Sequence, residues 1–250
     1  MLKPSAKQRA LRERDQDILR VGRELVLVHG YHGMTMNQIS QETGYPKGTV
    51  YQRFACKEDV ITALAAESMN RRVAMLERAN AFDGRTRERF AAIAEADALF
   101  WRLNPDDIRI VLTASTPILE KASWWHVAAL HDAERAVGGI IIKLLREAVE
   151  SGDFPRSEEG KLEELVLGVW GLVEGGFALV RRQVPQSVLG MSDPVTRLWI
   201  VANQLLDAYG WEPLFNTWDY HESLARIRKT VFPEESTQAY GEGAWYGDGG

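Results

Sequence analysis

Apolar residues recur at three- and four-residue intervals along nearly the whole chain, and no segment alternates apolar and polar residues between hairpin signals such as Asn-Gly or Asp-Gly. A period of 3.6 residues buries one face of a helix, whereas a half-buried strand needs a period of two, so the pattern predicts an all-α fold. In the first helix Ile18, Val21, Leu25 and Val28 form one apolar stripe, with Arg14, Arg20 and Arg23 off it, and the stripe ends near Gly30. Thr35 is a good N-cap for a short second helix that carries Met36 and Ile39 inward and stops at Gly44, a residue suited to a left-handed C-cap. A third short helix, roughly Pro46 to Arg53, follows after a turn of about three residues, the length of a helix-turn-helix connection. Lys57 then opens a longer helix reaching about Ala81.

Further along, Asn104-Pro105 ends a helix that begins near Arg85, since proline disfavours helix in the residue before it. Asp106 and Asp107 occupy the first turn of the next, where they suit its dipole. Leu119 to Ser151 reads as one long helix that Gly138-Gly139 can bend. Glu158 to Arg182 and Asp193 to Tyr209 are two more strong helices, each with more apolar surface than one core requires, which points to a subunit interface. The Gly-rich segment 236–250 reads as a disordered tail. The expected organisation is a three-helix N-terminal domain over 1–60, with its short-helix motif at 35–54, and a larger helical domain of about nine or ten helices over 61–235.

Charge distribution decides which part can meet nucleic acid. The chain carries a net charge of −5, which disfavours phosphate binding taken alone. Residues 1–60, however, hold ten Lys/Arg against seven Asp/Glu, and the acidic excess lies in the remainder. Only the N-terminal part suits DNA. The single cysteine, Cys56, rules out an intrachain disulfide. No apolar run reaches the roughly 18 residues of a membrane span, and the polar start has no signal-peptide core, so no membrane contact and a cytoplasmic location are expected.

The residue types between Thr35 and Lys57 have definite uses at a DNA surface. Thr35 at an N-cap leaves backbone N–H groups and the helix dipole facing a phosphate, and Asn37 lies within reach of a base edge or phosphate. Pro46 and Gly48 keep the start of the third helix slim enough for a major groove about 12 Å wide, and Lys47 is the best candidate for a guanine contact. Thr49 and Tyr51 present hydroxyls, Gln52 and Arg53 reach bases or phosphates, and Lys57 adds charge at the start of the fourth helix. Ile39, Val50 and Phe54 belong to the core.

As an ordered set, these residues resemble the helix-turn-helix of TetR-family regulators. The resemblance runs from about residue 11 to 65 through Gly30-Tyr31, Thr35, Ile39, Gly44, the Lys47-Gly-Thr-Val-Tyr51 run, Phe54 and Lys57-Glu58. Pro46 stands where the family often has a serine, and Tyr45 replaces a small aliphatic residue. The resemblance implies that 1–60 form the DNA-binding domain and 61–235 the ligand-sensing and dimerisation domain of a homodimer whose last two long helices form a four-helix bundle with their symmetry mates. It further implies a repressor released from a palindromic double-stranded operator by a small-molecule effector.

All eight tryptophans lie beyond residue 82, and apolar pockets are commonly lined by such side chains with a few polar groups. Candidate effector contacts are Trp101, Trp124, Trp125, His126, Trp170, Glu174, Phe177 and Arg181. The spacing of His126, His131 and Glu134 does not put both imidazoles on one helical face, so no metal is expected. Cys56 sits beside a helix N-terminus, an environment that can lower a thiol pKa, although a role as a cap residue fits better than oxidant sensing. No nucleophile elbow, phosphate loop, zinc-protease or dinucleotide motif is present, so neither catalysis nor a cofactor is expected. The alternative is the same DNA-binding dimer controlled by a protein partner in place of a small ligand.

Overall fold

The computed structural model describes residues 5–181, 187–188, 190–191 and 194–241, with the side chains of 157–159, 177, 180, 181, 195 and 196 outside that description. Every regular element among these residues is helical. Three helices, α1 (Ala6–Gly33), α2 (Met36–Thr43) and α3 (Lys47–Arg53), are followed among the described residues by α4 (Lys57–Asn80), α5 (Thr86–Leu103), α6 (Pro105–Thr113), α7 (Thr116–Leu119), α8 (Trp124–Ser151), α9 (Leu162–Arg181), α10 (Pro194–Ala208), α11 (Tyr220–Thr230) and α12 (Pro233–Tyr240). A 3₁₀ segment, Arg156–Lys161, precedes α9 where the sequence pattern predicts α-helix from Glu158.

The chain divides into two compact units. The first comprises residues 1–75 and 97–137, the second 76–96 and 138–250. In the first unit, Ser5 and Gln8 cap α1 reciprocally: the Gln8 amide donates to the Ser5 hydroxyl at 3.2 Å, and the Ser5 amide to the Gln8 side chain at 2.8 Å. Ile18, Val21 and Leu25 are buried as the stripe predicts, but Val28 is 75% exposed and Val26 takes the inward position instead. The helical path breaks at Gly30, whose φ of 68° lies in the left-handed region. The core of this unit gathers Ile18, Met34, Ile39, Val50, Phe54, Val60, Ile61 and Leu64 with Ile110, Ile118 and Leu130.

The polar interior of this unit centres on Asp107, in the first turn of α6. Its Oδ1 accepts from Arg23 of α1 at 2.6 Å, from Arg71 of α4 at 2.6 Å and from the Ser68 hydroxyl at 2.8 Å. Burial alone would raise the pKa of this carboxyl. The hydrogen bonds from Arg71, Ser68 and Arg23 more than reverse that and hold it below the usual carboxylate range.

In the second unit the fully buried Arg87 donates to the carbonyls of Trp211 at 2.5 Å and Asn203 at 3.0 Å and pairs with Asp207 at 2.5 Å. Asp153 accepts from the amide and hydroxyl of Thr86 and from Arg85. The helices α11 and α12, beyond the last one read from the sequence, are held by the Arg228–Glu95 and Arg78–Glu235 ion pairs, at 2.8 and 2.6 Å. The helix α12 covers the first five residues of the segment expected to be a disordered tail, and 242–250 lie outside the described residues. No helix among the described residues is long and apolar enough to cross a membrane.

Candidate nucleic-acid interface

The helix-turn-helix is assembled by caps at each end of its short helices. Thr35 and Gln38 form a reciprocal capping box on α2, with the Gln38 amide donating to the threonine hydroxyl at 3.3 Å. Gly44 ends α2 with a φ of 70°, a conformation that costs an L side chain about 1 kcal/mol or more, so the turn into α3 needs glycine there. Tyr45 follows, and its hydroxyl donates to Asp17 of α1 at 2.7 Å, which gives this departure from the family pattern a structural use. Pro46 precedes α3 without making a side-chain cap bond.

Along α3, Lys47, Gly48, Tyr51 and Gln52 are exposed, and at helical spacing positions i, i+1, i+4 and i+5 share one face. Val50 is buried, as is Phe54 at the C-cap, and Thr49 is half-buried at the rim. Thr35 and Asn37 are exposed at the start of α2, which packs on α3. The other two sequence candidates are engaged inside the domain. The Arg53 guanidinium grips Asp15 of α1 with two hydrogen bonds, the Nε–Oδ1 contact measuring 2.5 Å. The Lys57 ammonium donates to the carbonyls of Tyr31 and Met34 at 2.8 and 3.3 Å and lies 4.1 Å from the centroid of the Tyr31 ring, closing off the end of α1. Glu58 accepts from the Tyr31 hydroxyl at 2.6 Å, so the Lys57-Glu58 pair clamps the α1 terminus from both sides.

Three carboxylates of this region turn inward in the same way. Asp15 and Asp17 serve Arg53 and Tyr45, and the buried Asp59 accepts from the amides of Ala55 and Ser123 at 2.8 and 2.6 Å. Lys47 makes no ion pair among the described residues, so the outer face of α3 keeps its positive charge uncompensated. Sequence reading missed the tie between α1 and α3. Its signal was a carboxylate at a stripe position: Leu11, Asp15 and Ile18 share one helical face, and a charge there needs a partner.

The eight residues expected to line an effector pocket are divided between the two units. Trp124, Trp125 and His126 form a chain of ring contacts at the start of α8, where Trp124 is 75% exposed. His126 stacks on Phe54, with centroids 5.3 Å apart. Burial pushes its imidazole below the ordinary histidine value, and Nε2 has no hydrogen-bond partner among the described residues. Trp101 belongs to the same unit, under the Arg72 guanidinium. Trp170 and Glu174 are exposed on α9 in the other unit, and the side chains of Phe177 and Arg181 on that helix lie outside the described part. None of Trp101, Trp124, Trp125 and His126 lines the 660 Å³ cavity of the first unit, which is bordered by Arg23, Leu64, Glu67 and Asp107. Cys56 is half-buried, and burial pushes its thiol up to about 11, the opposite of an activated thiolate.

Comparison with known proteins agrees with this geometry. The family model described as bacterial regulatory proteins, tetR family, matches residues 18–64. The HTH-type transcriptional repressor AcnR of Corynebacterium glutamicum is 36% identical over 56 residues, a stretch covering 22% of this chain and 30% of that protein. The fatty acid degradation regulator FadR from Bacillus halodurans has the same fold, with a TM-score of 0.56 at 19% identity over 82% of this chain and 97% of that one. So does the transcriptional regulator FadR from Bacillus subtilis, solved with stearoyl-CoA, at 0.55 and 17% over 78% and 96%. The helix-turn-helix at residues 18–64 thus matches the tetR family of bacterial regulatory proteins, and the all-helical fold that carries it is similar to the folds of both FadR structures.

Proposed function

We propose that the chain represses transcription as a homodimer bound to a palindromic operator, and that a small, largely apolar or aromatic effector releases it. The observation that carries the DNA-binding reading is the outer face of α3. Lys47, Gly48, Tyr51 and Gln52 stand exposed on a slender helix, while Asp15 and Asp17 of α1 are engaged by Arg53 and Tyr45. In this reading Lys47 meets a base edge, and Thr49, Tyr51 and Gln52 hold the backbone beside it. Thr35 and Asn37 seat a phosphate at the start of α2. Arg53 and Lys57 act by holding α3 and the end of α1 in place.

Two-fold symmetry would present two such helices to successive major grooves, about 34 Å apart. Support for the dimer comes from α9 and α10, where Leu167, Trp170, Leu179 and Val201 are exposed, an apolar surface that water disfavours. These two helices lie against each other closely enough that a Cβ at Gly176 would come within 2.5 Å of Leu198. Support for a small effector comes from the Bacillus subtilis neighbour, which holds an acyl-coenzyme A, and from the aromatic side chains at the start of α8 and along α9. An effector that prefers the conformer with mismatched recognition-helix spacing weakens operator binding by its differential affinity. Lys47→Ala and Tyr51→Ala should each weaken binding to the operator in gel-shift assays while leaving the dimer folded, and unchanged affinity in both variants would refute this site.

A further inference from the structure

The first three turns of α1 lie outside the core: residues 5–10, 12–14 and 16 are exposed, Leu11, Asp15 and Asp17 are half-buried, and full burial begins at Ile18. At 1.5 Å per residue, this part of the helix projects about 18 Å beyond Ile18. The capping box of Ser5 and Gln8 fixes its far end, so it is a formed helix and not a frayed terminus. It carries Lys7, Arg9, Arg12 and Arg14 against Glu13, Asp15 and Asp17. Because Asp15 is spent on Arg53 and Asp17 on the Tyr45 hydroxyl, Glu13 is the carboxylate that remains to oppose four cations.

Those same two contacts orient the extension relative to α3. Tyr45 stands just before α3 and Arg53 at its last residue, so α3 lies across the sector of α1 bounded by Asp17 and Asp15. At about 100° per residue, Lys7 and Arg14 fall within about 20° of each other inside that sector, whereas Arg9 and Arg12 fall outside it. Arg14 is near enough to Tyr45 to bear on its phenol electrostatically. We propose that Lys7 and Arg14 form a second DNA contact, gripping the phosphate backbone that flanks the groove entered by α3. This rests on the DNA-binding reading above. It adds a clamp whose partner is the sugar-phosphate strand, and it contributes affinity without base preference.

The test uses the full-length protein, a duplex enriched from a random pool by the wild type, and a scrambled duplex of equal length. Each phosphate contact contributes about 0.9 to the slope of log K against log salt, so Lys7→Ala/Arg14→Ala should lower that slope by about two units and weaken both duplexes roughly tenfold at low salt. Lys7→Arg/Arg14→Lys should restore binding, and Arg9→Ala/Arg12→Ala should change it far less. Thermal melting checks that each variant folds. If the alanine pair leaves affinity and slope unchanged while Lys47→Ala weakens the enriched duplex, the clamp is wrong and the DNA-binding reading stands. Equal losses from the Arg9/Arg12 pair would overturn the assignment of faces. A wild type that enriches and binds no duplex overturns both.

Discussion

Replacing Asp107 by alanine should destabilise the first unit by about 2–3 kcal/mol, and the figure follows from who loses what. Asp107 has a side chain only 2% exposed, and its removal leaves Arg23, Arg71 and Ser68 without their common acceptor. Hydrogen bonds to a charged group contribute about 1.5–3 kcal/mol each when buried. Arg23 and Arg71 keep 29% and 48% of their side chains exposed, so each recovers water and its loss shrinks to about 0.5–1 kcal/mol. The buried Ser68 hydroxyl adds about 1 kcal/mol. For a chain of this length, each kcal/mol shifts the melting temperature by about 2–4 °C, so thermal unfolding should show a drop of roughly 4–12 °C. Asp107→Asn keeps an acceptor oxygen and should lose less, about 1–2 kcal/mol.

A pH series separates the charge from the packing. The folded pKa of Asp107 lies below its unfolded value, so its contribution is fully present above the unfolded value and is lost as pH falls toward the folded one. The wild type should therefore lose stability more steeply on acidification than Asp107→Asn. Unchanged melting in both variants, or identical acid profiles, would refute the assignment of Asp107 as the hub.

Other outcomes follow from the same geometry. His126 has the same linkage sign as Asp107, because burial lowers its folded pKa: it costs stability as pH drops below the ordinary histidine value, so His126→Phe should flatten the fall in melting temperature near pH 6. The Cys56 thiol, pushed up to about 11, should react with iodoacetamide at neutral pH far more slowly than a free model thiol, and rapid alkylation of folded protein would contradict its placement. Leu167→Glu combined with Trp170→Glu should shift the protein from dimer to monomer in light scattering, since both side chains are exposed on α9; an unchanged mass would move the interface elsewhere.

How much could be read from the chain itself depended on whether the signal was local. The helix-turn-helix was legible because caps and turns are set by neighbours in sequence: Thr35 with Gln38, Gly44 with its left-handed φ, and Val50 and Phe54 at inward spacing. Long-range pairings were not. Arg53 and Lys57 look like DNA contacts in sequence, and only the fold brings Asp15 and the Tyr31 carbonyl to them. Asp107 satisfies a helix-dipole rule locally, yet its partners sit 84 and 36 residues away. The pattern of eight tryptophans predicts apolar surface but not which surfaces meet, and the fold assigns Trp124 and Trp170 to different units, both exposed. The helices α11 and α12 were missed because their apolar stripes are thin and their ion pairs, such as Arg228 with Glu95, join residues far apart in sequence.

The central claim is that α3 offers a positive, carboxylate-free edge to duplex DNA. Fluorescence anisotropy of the wild type and Lys47→Ala against DNA from upstream of the chain's own gene, taken through a series of salt concentrations, tests it most directly. The account predicts wild-type affinity falling linearly in log K against log salt, with Lys47→Ala weaker at every concentration by a factor equivalent to about 1–3 kcal/mol. No salt-sensitive binding of the wild type to any duplex, or identical curves for the two proteins, would contradict it.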